Sequence, residues 1–94
     1  MKRGACLVKA EHCVNGDRDQ QYGDPEDSFE RIAEYWKTYL GNQVEIGAED
    51  VAIMMILFKI ARLEGSEYKS ADTWVDIAGY AACGCEIATK GMPD

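Results

Sequence analysis

The residues able to hold a ligand fall into four small groups. Asp72 and Asp76 are four apart, so on a helix both carboxylates lie on one face. Asp76 stands between Val75 and Ile77 in a stretch of mostly small or apolar residues. A carboxylate there needs a cation, a donor or a metal ion. Glu30 and Glu34 repeat the spacing of four, giving either an exposed acidic face or a pair held beside a cation. Lys59 and Arg62 are three apart in an otherwise apolar run, where cations are costly to bury unless paired. Residues 16–24, GDRDQQYGD, bring Arg18, Tyr22 and Gly23 into one loop: a guanidinium fork, an aromatic face and a glycine permitting close backbone approach.

Each group also has a plain structural account. Asp17 and Asp19 flank Arg18 as in a solvated turn. Glu49, Asp50 and Asp72 fall in expected first turns, where the helix dipole favours acids, while Lys59 and Arg62 lie near a helix end that favours cations.

Four helices are expected to position these side chains, in a single-domain, all-α bundle. Residues 4–15 read as the first helix, stopped by Gly16. The second opens with Asp24 as N-cap and Pro25 at its first position, puts Phe29, Ile32, Ala33, Trp36 and Leu40 on one face, and ends at Gly41-Asn42. The stretch Glu49 to Leu63, EDVAIMMILFKIARL, is apolar nearly all round. That predicts a central helix buried on most sides. It is too short for a membrane span, which needs about 20 apolar residues. Gly65 is the expected stop, and a last helix over 71–89 starts at Ser70 or Ala71-Asp72, with small residues Gly79, Ala81, Ala82 and Gly84 permitting close helix approach.

The chain has 94 residues and a net charge of −7, enough for one modest core. Its acidic field disfavours nucleic acid and anionic membranes as partners. Met1-Lys2-Arg3 is followed by no sustained apolar run, so no signal peptide is expected, and the expected location is cytoplasmic. Cys6, Cys13, Cys83 and Cys85 lack the paired spacing of a structural zinc site and read as small core residues. His12 is the sole histidine, and nothing singles it out as a catalyst.

Three blocks taken together, QYGDPEDSFERIAEYW, EDVAIMMILFKIARL and DTWVDIAGYAACG, resemble the small phage and prophage proteins related to the MazG-like, all-α nucleotide pyrophosphohydrolases. The resemblance covers roughly residues 12–87. It implies a helical bundle assembled as a homodimer or homotetramer, working in the host cytoplasm if phage-encoded. It also implies cleavage of nucleoside triphosphates to monophosphate and pyrophosphate with Mg2+, or Mn2+. On that resemblance Asp72 and Asp76 would be catalytic metal ligands, with Asp50 and Glu30 as further ligands. Lys59, Arg62 and Arg18 would meet phosphate, and Tyr22 or Trp74 would stack on a base. The chain departs from the family pattern in two ways. Thr73 stands where the usual glutamate of Glu-x-x-Asp would be, and the central helix lacks Glu-x-x-Glu. Two alternatives therefore stand beside hydrolysis: a non-catalytic protein that binds and sequesters nucleotide, and a helical assembly module in which Asp76 pairs with Lys59 or Arg62.

Overall fold

The structure, a computed structural model, describes residues 1–16 and 24–94. Four helices follow in order among the described residues: α1 (Arg3–Asn15), α2 (Pro25–Tyr39), α3 (Ala48–Gly65) and α4 (Ala71–Ala88). The all-α fold is as expected. The helix starts have local causes. The Asp24 side chain accepts from Glu26 N at 3.2 Å and Pro25 opens α2. The Asp50 carboxylate reaches back to Gly47 N at 2.9 Å and closes the first turn of α3. The Ser70 hydroxyl accepts from Thr73 N at 3.3 Å and caps α4. Each satisfies a backbone donor that the helix itself leaves open.

α3 ends at Gly65, the expected stop, but Gly65 is not itself left-handed. The left-handed residues of the following turn are Glu67 (φ 56°) and Tyr68 (φ 65°). Tyr68 N donates to Leu63 O at 2.8 Å, and the Trp74 indole donates to Tyr68 O at 2.8 Å. These bonds hold a conformation that non-glycine residues seldom adopt.

The main core joins α2, the first half of α3 and the end of α4, through Phe29, Ala33, Ala48, Val51, Ala52 and Ile87. Gly84 lets α3 and α4 approach here, since a Cβ on it would lie 3.1 Å from the Ala52 Cβ. α4 packs on all three other helices, whereas α1 packs on α4 alone among the described residues. The organising helix is therefore α4.

The expectation that α3 is buried on most sides is not met. One face of it is buried, including Ala48, Val51, Ala52 and Leu63. The opposite face exposes Ile53 (55%), Leu57 (58%) and Phe58 (49%), together with Met54 and Ile60. An apolar pattern all round a helix reports that every side is to be covered, but not by which chain. The cysteines also differ from expectation: Cys6 and Cys83 are half-buried, Cys13 and Cys85 are exposed, and no disulfide joins them. No helix among the described residues is long and apolar enough to cross a membrane.

Candidate functional site

The chemistry-bearing side chains gather where α3 and α4 run antiparallel. Lys59 Nζ lies 2.9 Å from Asp76 Oδ2, with 16% of the lysine side chain and 36% of the aspartate exposed. Asp76 thus has the partner that its position demands. One turn earlier on α4, Asp72 Oδ1 takes an ion pair from Lys9 of α1 at 3.1 Å. Arg62 lies exposed one turn beyond Lys59 on α3, with its guanidinium carbon 5.4 Å from the Phe58 ring centroid. Lys59 Nζ is 5.9 Å from the same centroid. Both cations therefore border the open apolar face. Trp74 is half exposed, its ring fixed by the bond to Tyr68 O.

The other candidates lie apart from this pair. Asp50 is engaged in capping α3. Glu30 is exposed on α2 and lines an open groove between α2 and the start of α3, together with Glu34 and Glu49. Glu34 pairs with Lys37 at 3.1 Å. Arg18 and Tyr22 lie outside the described residues. His12 is exposed on α1.

Magnesium takes oxygen ligands, usually one or two carboxylates completed by water and phosphate. Asp72 and Asp76 have the right chemistry, yet each carboxylate is held by a lysine. Among the described residues no three His, Cys, Asp or Glu side chains converge as a metal-binding group. Asp72, Asp76, Asp50 and Glu30 do not meet as one group among the described residues.

Sequence reasoning gave no sign of the contact between Lys90 and Glu26, which ties the end of α4 to the start of α2. The Glu26 carboxylate accepts from Lys90 and holds its ammonium above the usual lysine value of 10.5. Its partners lie far apart in sequence and show no periodic relation. Nor did composition reveal the open face of α3, because its residues look like those of a buried helix.

Comparison with known proteins gives a phage context. The chain is 53% identical over 75 residues to the Gene 55 protein of Mycobacterium phage L5, covering 80% of this chain and 47% of that protein. It is 43% identical over 77 residues to the Gene 55 protein of Mycobacterium phage D29, covering 82% of this chain and 49% of that protein. The chain spans about half the length of these curated relatives. No solved structure matches it. Residues 5–88 match a family described as a domain of unknown function, DUF6378. Nearly the whole fold lies inside that match, so the chain belongs to the DUF6378 family.

Proposed function

We propose that this protein is a helical assembly module, and that copies of the chain join over the open face of α3. The observation that carries this reading is the exposure of Ile53, Met54, Leu57, Phe58 and Ile60 on one helix. A contiguous apolar patch of this kind is uncommon on a monomer and marks a contact surface. Among the described residues nine apolar side chains are buried, and four of them are alanines. A core this small stabilises one copy weakly, so a second copy adds the burial that the first lacks. Asp76 fits the same reading, because its partner is Lys59. Sedimentation velocity of the wild type and of Leu57→Glu is the test. At high salt, where contacts between charged surfaces are screened, the wild type is expected to sediment as an oligomer and the variant as a folded monomer. A wild type monomeric at high concentration would sink the proposal.

One arrangement favours a second reading, nucleoside triphosphate pyrophosphohydrolysis. Asp72 and Asp76 stand one turn apart on α4, with Lys59 against Asp76 and Arg62 one turn further along α3. Carboxylates beside cations are suited to a metal-bound polyphosphate, and the resemblance to MazG-like enzymes points the same way. In that reading the magnesium site needs Asp76 released from Lys59 and Asp72 from Lys9. Pyrophosphate release from a panel of nucleoside triphosphates with Mg2+ or Mn2+, and its loss in Asp76→Asn, would support it. Bound but unhydrolysed nucleotide would point to sequestration instead.

A further inference from the structure

α1 is an odd member of this bundle. Its single buried residue is Ala10. Of its larger apolar side chains, Val14 is half-buried, whereas Leu7 and Val8 are exposed, at 64% and 53%. It is also the basic part of an acidic chain: Lys2, Arg3 and Lys9 stand against Glu11 alone. Lys9 is engaged with Asp72, whereas Lys2 and Arg3 make no ion pair among the described residues.

The groove between α2 and the start of α3 has the complementary character. It is open, with a volume of about 870 Å³. Ala33, Ile46, Ala48 and Ile87 contribute apolar lining, and all four are buried or half-buried. Asp27, Glu30 and Glu49 also line it, beside one cation, Arg31, and none of these three carboxylates is in an ion pair among the described residues. A basic helix end carrying two aliphatic side chains matches such a groove in both charge and polarity. The occupant cannot be the same chain's α1, which packs on α4 and on neither α2 nor α3.

We propose that the N-terminal half of α1 docks into the α2–α3 groove of a second copy, as a contact separate from the α3 face. This extends the assembly reading to a second interface, yet it can fail while that reading stands. The contact is heterologous, because α1 meets a different surface on its partner, so it propagates from copy to copy until a ring closes or an end is capped. It is also electrostatic, and therefore weakens with salt, whereas the apolar α3 contact does not.

The test uses the full chain carrying Leu57→Glu, which removes the α3 contact and leaves the groove and α1 untouched. Sedimentation equilibrium at low salt is expected to show residual association that weakens about tenfold or more at high salt. Two further variants are then made on this background, Glu30→Lys with Glu49→Lys in the groove, and Lys2→Glu with Arg3→Glu on α1. Each alone is expected to be monomeric, with helix content unchanged by circular dichroism. Mixed one to one, the intact groove of one variant meets the intact α1 of the other, and the two reversed surfaces are complementary in turn, so association is restored with the two variants alternating. Should the groove variant misfold, Glu30→Gln with Glu49→Gln keeps the test alive, with weakened rather than abolished association expected. No residual association in the Leu57→Glu background, or association indifferent to both charge reversals, would overturn the docking while leaving the α3 contact intact. A wild type that does not associate at all would remove both.

Discussion

Asp76 and Lys59 form a pair of unequal burial. The lysine is the more covered partner, at 16% side-chain exposure against 36% for the aspartate. Neutralising Asp76 strands a covered cation, whereas neutralising Lys59 leaves a carboxylate nearer to water. We therefore expect Asp76→Asn to cost about 1–2 kcal/mol and Lys59→Met less than about 1 kcal/mol, well below the cost of breaking a fully buried pair. Methionine keeps the apolar stem of the lysine in place. Urea unfolding of the two variants at equal protein concentration checks the order, and equal losses would contradict it. The need of Asp76 for a partner was legible in the sequence, because its neighbours are apolar, and Lys59 was one of two cations named for it. The engagement of Asp72 with Lys9 was not, since nothing in residues 4–15 fixes which way that helix packs.

Helix starts were the most legible elements. Asp24-Pro25 and Ser70 have one cheap local solution each, and both are used. The turn after α3 was less so, because a glycine can take the left-handed position but need not, and hydrogen bonds from Tyr68 and Trp74 hold a left-handed turn at two non-glycine residues instead. The close approach of α3 and α4 depends on Gly84. Valine there would press against Ala52, itself 2% exposed within the core. We expect Gly84→Val to cost about 2 kcal/mol net, the steric loss outweighing the gain in helix propensity. Gly84→Ala should be near neutral, because a propensity gain of about 1 kcal/mol offsets a smaller contact. Thermal unfolding of the two variants separates these cases.

At the scale of the whole molecule, fold class and helix order were legible, because turn and cap residues divide the chain cleanly. The place of α3 was not, because periodicity reports how much of a helix is to be covered and not by which chain. If copies meet over α3, assembly and stability are linked by mass action. At high salt, which screens the α1–groove contact, the melting temperature of the wild type should then rise with protein concentration, and that of Leu57→Glu should not. Differential scanning calorimetry across a hundredfold dilution series is the check. A wild-type melting temperature independent of concentration would contradict the link.

The packing of α1 on α4 alone among the described helices also bears on the order of events during synthesis. α1 leaves the ribosome before the other three described helices, yet its sole partner among them is the last to be made. Until α4 emerges, α1 is a 13-residue segment without the helix it packs on among the described residues, and isolated helices of that length are marginal in water. α2 and α3 can meet earlier, but their shared core lacks Ile87 until α4 arrives. The bundle therefore closes late, through contacts between the two ends of the described chain, and such distant closure slows folding relative to a bundle of sequential neighbours. A nascent chain halted before α4 would present both the apolar face of α3 and an unsupported basic α1 to its surroundings.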